Sequence, residues 1–569
     1  MNIVVKQTIP SQKKITSEEI INLVLKQRDI PDIAAFLSPP SPLDFSLKDF
    51  GFTKKDISQA MTLLKKLHKN QKTVVVYTDY DADGITGGSV LWETLHLLGF
   101  NAMPYVPHRK HEGYGFSKIG IDRVKKEFDP GLIISVDHGI TAVDQVSYAK
   151  TLGIPVIITD HHHKQEMIPE DAVSIFHIPA LSGSGTAYIV AKEIFEYFKS
   201  QSLITPPQIK KLEMLFQTDY LALATIGTVA DLVPLVGPSR SIVAAGLAAF
   251  PRVKRHGIRE LCKEAAIDGK VISPYEIGFQ IAPRINAVGR LEHGLDALRL
   301  LCTTDEARAA ELAKHIGMLN IDRQELVKKQ VAEARAMVEV LPDIPPIIIL
   351  HAPHWHEGVI GLIAAQILEL YYRPTIIMTQ GDGFYKASVR SIPGFHITDF
   401  LTMISKHFHG FGGHAAAAGF TLPLKNLARF EKDALKRAGA QLTPDKLVRT
   451  FTADLGIPAS FLSKKLSHAL ESLSPFGMGN PAPTFFSEVE VLHAARIGKE
   501  KTHLKLSVRE AGSSMLPLEG IAFGQAEIFP KLSKLVSIQM VYKLGINTWN
   551  SKETLQAVIK QIALTDDVQ

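Results

Sequence analysis

Three short β-branched runs early in the chain each lead into aspartate. TVVVY (Thr73–Tyr77) passes directly into Thr78-Asp79-Tyr80-Asp81-Ala82-Asp83-Gly84. GLIISV (Gly131–Val136) ends in Asp137-His138-Gly139, and IPVIIT (Ile154–Thr159) ends in Asp160-His161-His162-His163. Helical periodicity fills the gaps, in GGSVLWETLHLLGF, IGIDRVKKEF and AVDQVSYAKTLG, and AMPYVP adds a further strand. Strands alternating with helices in this way predict βαβ units and a parallel sheet. In such sheets ligands bind outside the carboxyl ends of the strands. The pattern therefore brings carboxylates and imidazoles to one edge. So many carboxylates repel one another and raise each other's pKa, a conflict that a divalent cation removes. The donors are oxygen-rich with some imidazole and no thiolate, which favours Mn²⁺ or Mg²⁺ over a structural zinc, with enough carboxylates to bridge two ions. Taken alone, DxDxDG would also suit a calcium-like turn and HHH a surface patch. Their placement after three strands of one sheet is what argues for a metal site.

With 569 residues, 46% apolar and 21% charged, the chain has globular composition. At roughly 100–200 residues per domain, three or four domains are expected. The expected fold class is α/β, with a parallel-sheet catalytic domain, a long connector helix, a second α/β domain and a C-terminal β-barrel. A helical lead-in is expected over 1–70, the catalytic domain over 71–300 and the connector over 301–342. Asp305–Leu341 carries one helical pattern that Pro342 stops; at 1.5 Å per residue it would span roughly 50 Å. The second α/β domain covers 343–445, opening with PPIIIL, VIGLIAAQILEL and TIIMT. Short strands dominate 446–569 and suggest a small barrel or sandwich. The two cysteines, Cys262 and Cys302, exclude a disulfide framework. No apolar run reaches the ~18 residues that cross a bilayer, and the N-terminus lacks the order of a signal peptide. A cytoplasmic protein without a membrane partner is expected. The net charge of +5 permits an anionic partner without demanding one.

DYDADG, SVDHGI and TDHH, in this order and spacing, resemble the DHH phosphoesterase superfamily, and more closely its RecJ family of single-strand-specific 5′→3′ exonucleases. GTVADLVPL (Gly227–Leu235), PRINAVGR (Pro283–Arg290), EGVIGLIAAQI, SVRSIPGFHITDFL, FGGHAAAAGF and SPFGMGNPAPTF (Ser474–Phe485) extend the resemblance over about residues 40–560. The resemblance implies a DHH domain, a DHH-associated domain and an oligonucleotide-binding (OB) barrel. It implies Asp81, Asp83, Asp137, His161 and Asp231 as ligands of a two-metal Mn²⁺ or Mg²⁺ site, with Asp137 bridging and Asp79 beside them. His162 matches the catalytic second histidine, and His163 lies outside the pattern. Tyr77 stands where many relatives have a metal-binding histidine, and Thr78 replaces a common glycine. Between Asp171 and Gly185 the loop is short, and the usual Asn-Pro element reads Phe176-His177-Ile178-Pro179.

Cations beside glycines supply candidate phosphate grips. PHRKHEGYG offers Arg109 for forked phosphate binding and Tyr114 for stacking on a base. Ser388 and Arg390 follow a strand-like segment. Gly412, Gly413 and His414 stand ahead of an alanine-rich stretch read as a helix, whose N-terminus would hold phosphate. By resemblance the second lobe grips the 5′-phosphate, the two lobes form a cleft for one strand, and Arg284, Asn286 and Arg290 add to the grip. Arg284 and Arg290 would equally serve as ion-pair struts. In the barrel, Arg496, Lys499, Lys501, Lys505 and Arg509 face a single Glu500 and suggest a track for single-stranded DNA, or a solvated hairpin. The expectation is a monomeric exonuclease of DNA recombination and repair that hydrolyses single-stranded DNA to mononucleotides, with a RecQ-type helicase and a single-strand-binding protein as implied partners. A phosphodiesterase of short oligoribonucleotides or cyclic dinucleotides is the alternative within the superfamily. A non-catalytic nucleic-acid-binding scaffold is a third reading, against which the intact acids speak.

Overall fold

The computed structural model describes residues 2–10, 15–28, 30–113, 115–512, 516–549 and 552–565. The chain divides into two compact units, one of Ala34–Leu326 with Pro475–Asn480 and the other of Met1–Ile33, Val327–Ser474 and Pro481–Gln569. The first strand, β1 (Asn2–Val5), pairs in parallel with Thr450–Ala453. The start of the chain thus departs from the helical lead-in expected over 1–70. Among the described residues of this stretch, α-helices follow at Ser17–Lys26, Ile33–Leu37 and Lys54–Lys69, with 3₁₀ turns at Pro42–Asp44 and Leu47–Phe50.

The first unit is built on a five-stranded, all-parallel sheet of β2 (Val74–Thr78), β3 (Ala102–Tyr105), β4 (Leu132–Val136), β5 (Val156–Asp160) and β6 (Ser174–His177), in the order β3-β2-β4-β5-β6. Strands β2, β4 and β5 are buried at every residue, as parallel strands covered on both faces must be. Side chains alternate across the sheet. Val74, Val76, Leu132, Ile134 and Ile157 join the large core under the helices Ala82–Leu97, Gly183–Ser200 and Asp219–Ala230. Val75, Tyr77, Ile133, Val156 and Ile158 join the opposite core with Ile121, Val124 and Val146. The chain leaves β2 for β3 on one side and reaches β4 on the other. This is the topological switch point, where strand ends open a crevice.

The other unit holds a mixed sheet of β7 (Ile348–His351), β8 (Thr375–Gln380), β9 (Phe384–Arg390), β10 (His409–His414) and β11 (Ala417–Pro423), ordered β10-β11-β9-β8-β7. Only β7 and β8 run parallel. Here one expectation fails. No helix follows Gly412-Gly413-His414, because β10 turns back directly into β11. In β11 the period is two, with Ala418, Phe420 and Leu422 buried, so alternation against the sheet core outweighs the helix propensity of alanine. Beyond it come β12 (Thr450–Ala453), β13 (Leu455–Gly456), β14 (Phe485–Ile497), β15 (His503–Arg509), β16 (Leu518–Ala522), β17 (Ser537–Trp549) and β18 (Lys552–Leu564). Strand β14 pairs with both β15 and β17, closing β14-β15-β16-β18-β17 into a five-stranded barrel. The long helix runs over Glu306–Glu339, and the division between the units falls inside it.

Candidate metal centre and phosphate grips

The acids gather where β2, β4 and β5 end. Asp81 caps the helix Ala82–Leu97, its Oδ1 accepting from the N–H groups of Asp83 and Gly84 at 3.0 Å. Asp83, 1% exposed, accepts from the N–H groups of Gly183 and Ser184 at 2.7 and 2.9 Å, at the start of the Gly183–Ser200 helix. Asp231 is the C-cap of the Asp219–Ala230 helix. Asp137 adopts a left-handed backbone, φ 68°, a strained state for a non-glycine residue that is found mostly at functional sites.

His161 lies between these groups. Its Nε2 stands 3.2 Å from Asp137, 3.4 Å from Asp231 and 3.8 Å from Asp83. Asp79, Asp81 and Asp137 form a second cluster that shares Asp137. Asp137 Oδ1 and His161 Nε2 are buried with no hydrogen-bond partner, which is costly unless a cation completes them. Burial and neighbouring carboxylates raise the pKa of Asp79, Asp81 and Asp137, and bring Asp231 to about 8. Burial lowers that of His161, so its imidazole stays neutral and able to ligate. The donor set fits two divalent cations, with Asp137 common to both clusters.

His162 is held differently. Its Nδ1 lies 2.8 Å from Asp160 Oδ1, and its backbone N–H donates to the same oxygen. Burial resists the charge of Asp160, but the hydrogen bond and charge of His162 and the Ile140 N–H keep this carboxyl well below the usual range. Burial likewise opposes the charged imidazole, yet Asp160 lifts the His162 pKa to about 9. An ionised Asp160 accepts, so Nδ1 carries the proton. His177 Nε2–H donates to the His162 carbonyl at 2.6 Å. The departure Phe176-His177-Ile178-Pro179 thus braces the loop that carries His162. Sequence reasoning passed over Asp160 and His177 as working residues, although Asp160 opens the DHH motif itself. His163 is exposed.

Tyr77 stands where the resemblance implies a metal-binding histidine. It is fully buried on the sheet face opposite the helix Ala82–Leu97, against Tyr105, Phe116 and His138, with its OH 3.5 Å from the Gly115 carbonyl. It is a core residue. His138 is also drawn into this aromatic pocket, where burial lowers its pKa to about 4, so it is not among the imidazoles at the edge.

Arg109 lies over the Tyr80 ring at 5.2 Å, next to Asp79. A buried Glu112 fixes its turn, accepting from Tyr105 OH at 2.7 Å, the His108 N–H at 3.0 Å and Arg123 at 2.7 Å. Glu112 is a third residue that sequence reasoning overlooked. Tyr114 lies outside the described residues. Asn286 Oδ1 accepts from the Ala82 N–H at 2.8 Å, so it steadies the acidic loop. Arg284 donates to the carbonyls of Gln280 at 2.6 Å and Glu264 at 3.2 Å, which commits part of its fork to structure. Arg290 adds positive charge near Tyr80.

Ser388, Arg390, Gly412, Gly413 and His414 belong to the other unit. The register aligns Arg390 with Ala417 and His414, and Ser388 with Gly419 and Gly412. Directly opposed residues share a face, so all of these but Gly413 share one side of the sheet. Gly361, at the start of the helix Ile360–Tyr371, leaves room for Ser388 Oγ and the Arg390 guanidinium, 3.0 and 3.1 Å from where a Cβ would stand. An uncapped helix N-terminus thus meets the cation, even though the expected alanine helix is absent. In the barrel, Lys505 pairs with Glu519, Arg509 lies 3.9 Å from Glu490, and Arg496 lies over the Phe529 ring. Part of the expected basic track is therefore engaged locally.

Comparison with known proteins agrees with this architecture. The DHH family N-terminal domain matches residues 73–228, the DHHA1 domain 345–440 and the RecJ OB domain 453–561. The single-stranded-DNA-specific exonuclease RecJ of Haemophilus influenzae is 30% identical over 584 aligned residues, covering 99% of both chains. The Bacillus subtilis protein of the same name is 34% identical over 90% of this chain, which spans 64% of that protein. The crystal structure of RecJ from Thermus thermophilus in complex with Mn²⁺ superposes with a TM-score of 0.79 at 27% identity, over 99% of this chain and 79% of the other. With the three domain types in this order, and a relative matched over nearly its whole length, the chain belongs to the RecJ family of the DHH superfamily.

Proposed function

We infer that this protein is a Mn²⁺- or Mg²⁺-dependent exonuclease that hydrolyses single-stranded DNA from its 5′ end to mononucleotides, in recombination and repair. The observation that carries the reading is the buried pair Asp137 Oδ1 and His161 Nε2, 3.2 Å apart and unpartnered among further carboxylates. The named function of the H. influenzae relative supports it. Asp81, Asp83, Asp137, His161 and Asp231, with Asp79 beside them, would hold the cations. Two divalent cations in such a site supply an activated water and charge stabilisation at a phosphoryl group. The chain's own residues do the rest. The ionised Asp160 accepts the Nδ1 proton and keeps His162 protonated on both ring nitrogens, so that Nε2–H would donate to the scissile phosphate and stabilise the negative charge that develops there. Arg109 orients a phosphate beside Asp79, and Glu112 keeps Arg109 in place. Ser388, Arg390, Gly412, Gly413 and His414 take the 5′-phosphate, which sets the polarity. Single-stranded DNA is the macromolecular partner. A RecQ-type helicase, a single-strand-binding protein and a cytoplasmic, monomeric state complete this reading. No helix among the described residues is long and apolar enough to cross a membrane.

The test is digestion of 5′- and 3′-labelled single-stranded and duplex DNA with Mn²⁺, Mg²⁺ or chelator. Mononucleotides should leave the 5′ end of the single strand only, and none in chelator. Cleavage confined to di- to pentanucleotides would refute the long-strand reading in favour of a short-oligonucleotide phosphodiesterase.

A further inference from the structure

The segment that leads into the helix of Asn286 carries aromatic rings that the metal site does not use. It enters as a short helical turn, Pro274–Glu276, continues as a π-helical turn, Ile277–Ile281, and becomes the helix Ala282–Leu291. π turns are rare and are frequently found at functional sites. This one sets Tyr275 and Phe279 side by side, ring centroids 4.9 Å apart and planes 31° apart, with 60% and 68% of their surfaces exposed. Single exposed apolar residues need no explanation, but a fixed pair of open aromatic faces is a stacking platform.

The platform is tied to the metal centre on both sides. Ile277 and Ile281 are buried, and Gly278 lies against Val229, two residues before Asp231. Further along, Asn286 holds the Ala82 N–H between Asp81 and Asp83. Positive charge follows the rings along the same segment. Arg284 bonds the Gln280 carbonyl next to Phe279, and Arg323 of the long helix is close enough that burial and the charge of Arg284 both lower its pKa. Arg323 donates to Asn320 at 3.0 Å, and Arg284 meets Glu264 through its backbone carbonyl. Aromatic faces open to solvent, on a segment that continues into Arg284 with Arg323 close to it, match the chemistry of a nucleotide, a flat base joined to an anionic phosphate.

We propose that Tyr275 and Phe279, with Arg284 and Arg323, form a subsite for one nucleotide of the single strand, the rings stacking on its base and the guanidinium groups attracting its phosphate. The subsite rests on the single-stranded-DNA reading above and adds a base-sensing contact to it. The test is fluorescence anisotropy of labelled oligothymidylate, and of an abasic strand of equal length, on the full chain in chelator, so that cleavage plays no part. Replacing Tyr275→Ala and Phe279→Ala together should weaken oligothymidylate binding about five- to thirty-fold and abasic binding less than about two-fold. Phe279→Trp should bind at least as tightly as the unaltered chain, with its indole quenched by the strand. Arg323→Gln should weaken both strands alike and reduce the salt slope by about one. The subsite is overturned if the double variant binds oligothymidylate like the unaltered chain, or loses equal affinity for both strands. Should the unaltered chain leave single-stranded DNA intact with Mn²⁺, the hydrolytic reading falls, while the chelator measurement still decides the subsite.

Discussion

At the residue scale, the centre separates two histidines that stand next to each other in sequence. Burial keeps His161 neutral and so able to ligate, while Asp160 lifts the His162 pKa to about 9. The difference comes from what each ring faces, since His161 points into the carboxylates and His162 is tied back to Asp160. Asp160→Asn leaves a neutral partner for the Nδ1 proton, so the His162 pKa should fall toward the ordinary histidine range. Turnover should drop roughly 10–100-fold, as for other residues that orient a reacting or ligating histidine. Steady-state rates and a histidine NMR titration check both parts. A full rate with a lowered pKa would deny His162 its role. Asp137→Ala should abolish cleavage, measured as release of labelled mononucleotide in Mn²⁺.

At the element scale, helix ends aim the carboxylates. Asp83 is reached by two N–H groups at the start of Gly183–Ser200, where the helix dipole favours negative charge. The fit leaves no space at Gly227, where a Cβ would stand 2.4 Å from Asp83 Oδ1 and 2.1 Å from Ser184 Oγ. Gly227→Ala should push Asp83 off its donors, cost roughly 1–3 kcal/mol of stability and weaken Mn²⁺ binding. Urea unfolding and calorimetric titration with Mn²⁺ measure these. A second anchor is Arg240, 1% exposed, which donates to the carbonyls of Phe36 at 2.7 Å and Pro475 at 3.2 Å and lies over the Phe36 ring. It fastens Pro475–Asn480, whose Met478 carbonyl accepts from the Leu235 N–H at 2.7 Å. Arg240→Met removes both donated hydrogen bonds from a buried site, and should lower stability by roughly 2–4 kcal/mol, read from the urea midpoint.

At the scale of the whole molecule, the acids make the metal-free chain sensitive to pH. Asp231 titrates at about 8 in the fold, and Asp79, Asp81 and Asp137 are also raised, against about 3.9 when unfolded. The folded state therefore holds these protons more tightly than the unfolded state. Their stabilising contribution is complete below about pH 4 and is lost as pH rises through the folded values. In chelator, the melting temperature should fall between about pH 5.5 and about pH 8 more than in an Asp231→Asn, Asp79→Asn variant. Mn²⁺ should raise it more at the higher pH than at the lower, because ions compete with protons for the same oxygens. The parallel sheet and the gathering of Asp79, Asp81, Asp83 and Asp137 at its edge were legible in the residues. Short β-branched runs and the strand-end rule require only neighbours in sequence. Other features arise from contacts between distant residues. The aromatic pocket that claims Tyr77 and His138, the turn of Gly412-Gly413-His414 into a hairpin, and the pairing of Asn2–Val5 with Thr450–Ala453 have no local signature. The sequence by itself determined which chemistry reaches the edge of the sheet. Only the tertiary structure decided which imidazole faces the carboxylates, which is held by Asp160 and which is buried, because those choices depend on burial and charge supplied by other elements.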